Sequence, residues 1–587
     1  MHRCLALWIA LAWAATAGAQ APPWRAHPLD PQHVLQAIAD ARPVDLGGAA
    51  VTGLVLPHHR VASDLIAAGM VTAAQGTRPE RIVMLTPDHF KRSTRAFATT
   101  ARDFDTVLGR VPADHAGAAA LMRSPLVADS LLFEREHGLG ELLPYVAKLF
   151  PGVPVLPVAV RIGATRAQWE AMVDLLKPWV TPRTLIIQST DFSHYLPVEQ
   201  ARRRDQQMLN VIAAGDLDAM ARARQPDHLD SRGSQYIQMR LQAQLFGAVP
   251  IVFGNTNSAD RGATGDDNTT SYVAQVYAPA ARERVVYPVL PARTLCVAGD
   301  SFFGRHVAVA LRDEALRQRV VEQLRLRLNG CPLLLNLEGV LGDVPAAHAL
   351  QLTMPTDDTL RWLRELGVVA VSVANNHSRD LGDEAYAAMV LRLREAGLQV
   401  LEQGQPQRVG ALRVTAWTDL DNHPAPRRDL IGLSLPPAEA PDLAFMHWGR
   451  EFVTVPGQRE RALAESLRAA GVPMIAGAHP HRASRRIELW GGLDAVMVYS
   501  LGNFVFDQRA PRASGALLQI SQFEQGTRAL RLIPLPDVFD MATGQGTAAL
   551  GPGASPRSPS SPRHPAPPLR PSQSAPGPGP EASAAPR

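Results

Sequence analysis

Residues 474–507, MIAGAHPHRASRRIELWGGLDAVMVYSLGNFVFD, decide how the second half of the chain is read. An apolar run, Met474-Ile475-Ala476, stops at Gly477 and gives way to His479-Pro480-His481. Two imidazoles two residues apart, on a loop after a buried strand, reach one metal cluster from the same side. Imidazole suits ions such as zinc and iron. The same pattern recurs four times upstream. TLCVA ends at Gly299-Asp300, PLLL at Asn336-Leu337-Glu338, VVAVSV at Asn375-Asn376-His377, and LAFM at His447-Trp448-Gly449. Between them DDTLRWLRELG, DEAYAAMVLRLREAG and GQRERALAESLRAAG carry apolar residues at helical spacing. Alternating strands and helices imply a mostly parallel α/β sheet, whose sites lie beyond the carboxyl ends of the strands. Asp300, Glu338, Asn376, His447, His479 and His481 should therefore converge beyond the edge of one sheet. Such a set could hold two divalent ions, as in metal-assisted phosphoester hydrolysis.

The first half repeats the logic. AVTGLVLP ends in His58-His59, RIVMLTPD in His89, VPVLPVAV in Arg161, and TLIIQST in Asp191-Phe192-Ser193-His194. DLIAAGMVTAAQ and RAQWEAMVDLLKPW read as helices between them. Glu136-His137 opens a further segment, EHGLGELLPYVAKLF. Strand-end histidines and an aspartate point to a second shared site.

The 587 residues exceed one hydrophobic core. Apolar content of 46% and charged content of 19% are those of a globular protein. The formal charge of +4 sits mostly at the ends: Arg557, Arg563, Arg570 and Arg587 against Glu581, plus Arg3. The near-neutral body leaves no basic surplus for nucleic acid. At the start, His2 and Arg3 precede an apolar run and Ala17-Gly18-Ala19, a small-x-small cleavage site before Gln20. This predicts a signal peptide over residues 1–19, export to the periplasm or medium, and no transmembrane segment in the mature chain. From residue 541 Pro, Ser, Ala and Gly dominate, the composition of a disordered tail. Cys296 precedes Asp300 by four residues and Cys331 precedes Glu338 by seven. If those acids sit level, the cysteines are out of step by about 10 Å, and two buried thiols are expected.

Pro57-His58-His59-Arg60, Thr86-Pro87-Asp88-His89, Glu136-His137-Gly138 and Ser189-Thr190-Asp191-Phe192-Ser193-His194 resemble motifs of the Memo family, protein B of the AmmeMemoRadiSam system. The resemblance covers most of residues 50–280. It implies a fold similar to class III extradiol dioxygenases, which hold non-haem iron. His58, His89 and His194 would then be ligands, with Asp191 and His137 beside them. Two departures stand out: His59-Arg60 replaces a small Ala-Gly pair, and Ser231 or a neighbour stands near the place of the family's late cysteine. GDSFFGR, NLEGV, VANNHSRDLG, HWGREF, GAHPH and YSLGNFVFD resemble the CapA capsule-synthesis family (poly-γ-glutamate biosynthesis, PGA_cap), similar in fold to calcineurin-like metallophosphoesterases. That resemblance implies that Asp300, Glu338, Asn376, His447, His479 and His481 hold metal, that Glu338 bridges two ions, and that Asn376-His377 does the chemistry, His377 serving a leaving group. Phe302 stands where the phosphoesterase pattern has a histidine. Glu451 would compensate, and Asn503 would fix a turn near the site.

The expectation is a signal peptide (1–19), a Memo-like α/β domain (24–285), a CapA-like α/β sandwich (290–540) and a disordered tail (541–587). The second half would hold one or two divalent ions (Mn, Zn or Fe) and the first half iron. The first functional reading is a metal-dependent phosphoesterase-type hydrolase in capsule or envelope-polymer synthesis. Its partners would be an anionic polymer or its precursor and the polymer-synthesis machinery. The rivals are a non-enzymatic accessory protein that binds the polymer, and iron-dependent oxidation in the first half.

Overall fold

A computed structural model of the chain describes residues 22–26, 29–287, 293–420, 430–432, 439–508, 511–538 and 540. The expected signal peptide (1–19), residues 288–292 and the expected tail from 541 lie outside them. No helix of the described residues is long and apolar enough to cross a membrane.

The apolar runs of the first half become one nine-stranded sheet. Its strands are β1 (Gly53–Leu56), β2 (Arg81–Pro87), β3 (Phe97–Thr99), β4 (Val127–Asp129), β5 (Val155–Val160), β6 (Thr184–Ser189), β7 (His194–Leu196), β8 (Val249–Asn257) and β9 (Thr269–Ala278). The order across the sheet is β7-β9-β1-β6-β2-β5-β3-β4, with β8 paired to β9. β1, β6, β2 and β5 run parallel, so their carboxyl ends share one edge. β1, β5 and β6 are buried throughout. Covered on both faces, they read as continuous apolar runs rather than alternating ones. The helices that cover the sheet include α1 (Ser63–Gly76), α2 (Arg166–Leu176), α3 (Val198–Ala214) and α4 (Arg232–Leu241). Thr165 and Gln168 form a reciprocal capping box at the start of α2. Gly215, in the left-handed conformation, stops α3.

The second half is a sandwich. Its first sheet contains β10 (Arg293–Ser301), β11 (Leu333–Leu337), β12 (Val368–Ser372) and β13 (Gln399–Leu401), all parallel. Its second contains β14 (Pro406–Val409), β15 (Leu412–Asp419), β16 (Leu443–Trp448), β17 (Met474–Ala478), β18 (Glu488–Trp490) and β19 (Ala495–Val498), in the order β14-β15-β16-β17-β19-β18. β20 (Asn503–Val505), β21 (Gly515–Gln522) and β22 (Arg528–Leu535) return to the first sheet, β20 and β21 both pairing with β10. Val297, Leu334 and Ala370 of one sheet pack into the same buried cluster as Ala416, Phe445 and Ala476 of the other. The three helices read from the sequence are present as α5 (Thr356–Glu365), α6 (Asp383–Glu395) and α7 (Gln458–Ala469).

Two expectations are corrected. The candidate ligands do not share one sheet: Asp300 lies on β10, and Glu338 and Asn376 follow β11 and β12, whereas His447 lies on β16 and His479 follows β17. Alternation along the chain could not reveal that the sheet splits. Cys296 and Cys331 are also not free thiols but a disulfide, with Cα atoms 6.0 Å apart. Asp300 pairs with Asn336 rather than Glu338, and β10 is irregular between Ala298 and Asp300. Cys296 therefore pairs with Leu333, two residues past Cys331, which is within reach of a bridge.

Candidate metal centres

In the second half the ligand types converge as two overlapping groups. Ligand atoms of Asp300, Glu338 and His447 lie within 4.8 Å of one another, and so do those of Glu338, His479 and His481. Glu338 belongs to both. Asn376 joins them through Oδ1, 2.8 Å from His447 Nε2. The loop after β17 is bent hard to achieve this: His479 and His481 have φ of 93° and 54°, left-handed values that non-glycine residues adopt at a cost. The His479 backbone N–H donates to Asp300 Oδ2 at 2.9 Å, and His481 Nδ1 lies 3.3 Å from the same oxygen. Gly299 lets β10 approach closely. A Cβ there would fall 1.9 Å from the carbonyl oxygen of Gly502, which accepts from the Asp300 N–H at 2.8 Å.

The donors suit a divalent cation. Asp300 and Glu338 are buried. Burial pushes the Asp300 carboxyl up, and burial followed by the charge of Asp300 pushes Glu338 well up. Burial, then His481 and His377, lowers His479 to about 3, so its ring is neutral and able to ligate. Glu338 Oε2 and His479 Nδ1 are buried without a hydrogen-bond partner, a costly arrangement that a cation relieves.

Strand-end reading missed two residues here. Asn336 donates to Asp300 Oδ1 at 2.9 Å and stands 3.1 Å from His447 Nδ1, tying the two sheets together. Its signal was an asparagine inside an apolar run, two residues before Glu338 and so on the same strand face. Asp380 holds His377 Nδ1 at 2.8 Å and accepts from the Leu352 backbone N–H at 2.7 Å. Asn503 faces His481 Nδ1 at 2.8 Å and also donates to the Gln508 carbonyl. Glu451 is exposed and belongs to neither ligand group among the described residues, although its charge raises Glu338. Phe302 is buried, its ring 5.4 Å from Phe506, which in turn lies 5.0 Å from His481.

In the first half His58, His89 and Asp230 form one group, His89, Glu136 and His137 a second, and His58, His59 and His137 a third. The His58 and His89 rings are 4.9 Å apart, and those of His89 and His137 4.1 Å. His194 is in none of these groups among the described residues; its Nδ1 faces the Phe192 carbonyl at 2.5 Å. Asp191 accepts from the His58 backbone N–H at 3.1 Å and lies 3.1 Å from His59 Nδ1. Asp230, rather than Ser231, brings the third donor, 3.3 Å from His58 Nε2 and 3.5 Å from His89 Nε2. It sits in a loop with no apolar run before it, so strand reading had no hold on it. Ser231 instead caps α4. Burial and the neighbouring histidines push the His58 pKa well down. At His89 burial is outweighed by Asp230 and Glu136, and the pKa rises to about 10. His58 Nε2 and Asp230 Oδ1 are buried without hydrogen-bond partners, and two imidazoles with a carboxylate are a fitting donor set for a metal ion.

Residues 24–253 match the family model of Memo-like proteins. Residues 294–406 and 441–508 match that of the bacterial capsule synthesis protein PGA_cap. The capsule biosynthesis protein CapA of Bacillus anthracis is 30% identical over 209 residues, covering 30% of this chain and 50% of that protein. The chain thus spans about half the length of that relative. A MEMO1 family protein of Methanopyrus kandleri is 29% identical over 208 residues, 32% of this chain and 73% of that protein. A solved structure described as a novel phosphatase of Mycoplasma pneumoniae covers 42% of this chain and 95% of its own at 12% identity and a TM-score of 0.25, a likeness too slight to carry weight.

Proposed function

We propose, for a chain that joins a Memo-like domain to a PGA_cap domain, that the second half is an exported metal-dependent hydrolase of phosphoester type serving capsule or envelope-polymer assembly. The observation that carries this reading is the sharing of Glu338 between two groups of metal-ligand atoms. Two divalent ions held there would supply Lewis acidity to an ester oxygen and a nucleophilic water. His377 stands beside the ligand Asn376 on the loop after β12 and gives a proton to the leaving oxygen. Asp380, on its Nδ1, fixes the ring and leaves Nε2 for that transfer. Export is read from residues 1–19 and supported by the Cys296–Cys331 bridge, since structural disulfides persist in oxidising compartments. An anionic polymer or its precursor is the expected substrate, in keeping with the CapA relative.

One observation favours a second reading, an accessory protein that binds the polymer without cleaving it. Phe302 fills the place of a phosphoesterase ligand and is packed against Phe506, so it offers no donor. In the first half, the two imidazoles and carboxylate of His58, His89 and Asp230 suit non-haem iron(II) and support oxidation there. The full-length chain, loaded with Mn²⁺ or Zn²⁺, decides between the first two readings. The hydrolase reading expects turnover of a generic phosphodiester that is lost, together with metal, in His479→Ala. Metal binding with no turnover of any ester tried leaves the accessory reading.

A further inference from the structure

The face of α3 that reads as a solvent face is not one. Arg203, Gln206, Gln207 and Asn210 follow one another at helical spacing, as an exposed polar stripe would. Yet Gln207 and Asn210 are 6% and 3% exposed, and every one of the four meets the second half of the chain. Asn210 donates to the Leu493 carbonyl at 2.8 Å, and Gln207 to Asp494 at 2.8 Å. Arg203 lies 3.4 Å from Asp494. Gln206 treats Arg528 as a strand would: its amide donates to the Arg528 carbonyl at 3.0 Å and accepts the Arg528 N–H at 2.7 Å.

The turn of the β21–β22 hairpin goes further in. Thr527 donates to Asn255 Oδ1 at 2.6 Å, and Gln525 contacts the same oxygen. Asn257 donates to Gln525 Oε1 at 3.1 Å. Asn255 in turn donates to Asp205 at 3.0 Å, and Ser193, next to His194, donates to the other Asp205 oxygen at 3.1 Å. Asn255, Asp205 and Ser193 are buried, so the chain of bonds from Asn255 to the Asp191–His194 segment is shielded from solvent. Apolar packing accompanies it. Phe523 and Ala529 of the hairpin belong to the same buried cluster as Met208, Leu209 and Ile212 of α3. Where Leu209 and Ile212 of α3 face Gln519 and Ala529, the cavity that remains has a volume of about 20 Å³, room for about one water. Both halves lie within one compact unit.

We propose that the β21–β22 hairpin is a docking element with which the second half completes the first, so that the Asp191–His194 edge of the first metal centre keeps its place only while the hairpin is seated. The occupant of the polar face of α3 is this chain's own second half. Buried amides and a buried carboxylate are tolerated only when their partners are present, so neither half is an interchangeable module. The proposal is independent of whether the second half hydrolyses anything.

Hydrogen exchange on the full-length chain tests it. In wild type, residues 189–196 and residues 296–300 should lose protection at one denaturant midpoint. In Gln525→Ala/Thr527→Ala, exchange in residues 189–196 should quicken about tenfold, the effect of losing one to two buried hydrogen bonds. Two separated midpoints in wild type would overturn the proposal. So would a variant whose faster exchange is confined to residues 523–528.

Discussion

The imidazole of His377 is held by the carboxylate of Asp380, Nδ1 to Oδ2, at 2.8 Å. The pair spans one helical-type turn of the loop after β12, and the same carboxylate oxygen accepts the backbone N–H of Leu352. The ring orientation is therefore set from outside the ligand cluster. If His377 works as an acid and not as a ligand, His377→Ala should leave metal content unchanged and lower ester turnover by about 10²–10⁴-fold, the usual worth of a positioned proton donor. Asp380→Asn should lower turnover less and keep the metal. Loss of metal in His377→Ala, measured by elemental analysis, would falsify this assignment.

The first centre should depend on Asp230 more than on His194. Asp230→Ala removes a donor at 3.3 and 3.5 Å from two ligand rings, whereas His194 belongs to no ligand group of the described residues. In a His479→Ala background, which disables the second centre, Asp230→Ala should weaken metal binding beyond the about 10–100-fold typical of outer-shell changes. His194→Ala should fall within that range. Equal losses in a metal titration would return His194 to the ligand set.

Asp205 gives a pH dependence with a definite sign. Burial lifts its pKa from 3.8 to about 7, against the pull of donors that include Asn255 and Ser193. Between those values the folded chain keeps a proton that the unfolded chain has lost. This group's contribution to stability is thus highest below about pH 4, falls as pH rises towards about 7, and is level above. Asparagine imitates the protonated form, so Asp205→Asn should gain on wild type as pH rises from about 5 to 8. Denaturant midpoints at several pH values check it; a constant difference between the two proteins would refute the buried-acid account.

The compartment can be read from the product. Protein recovered from the periplasm should begin at Gln20 by mass spectrometry and be two hydrogens lighter than its reduced form. Cys331→Ser should cost about 2–4 kcal/mol of stability, the usual worth of a native bridge. Reductant should bring wild type down to the same level. A reduced, full-length cytoplasmic product contradicts both the leader and the bridge.

What depends on short stretches was legible in the chain. Apolar runs ending in polar residues are strands, and Asp300, Glu338, His447, His479 and His481 stand at or just past strand ends because carboxyl edges are where backbone turns away from the sheet and side chains can converge. The motifs around them were enough to identify the Memo-like and PGA_cap domains. The rest follows from long-range pairing and packing. That the ligands come from two sheets depends on which strands pair, a long-range choice invisible in alternation along the chain. The bridge between Cys296 and Cys331 depends on the strand register, which sets Asp300 opposite Asn336 rather than Glu338. Asp230 enters the first centre from a loop, where no period marks it. The amides of α3 have the spacing of a wet face, because an exposed helix face and one docked on polar partners have the same composition; only the arrival of Leu493, Asp494 and Arg528 distinguishes them.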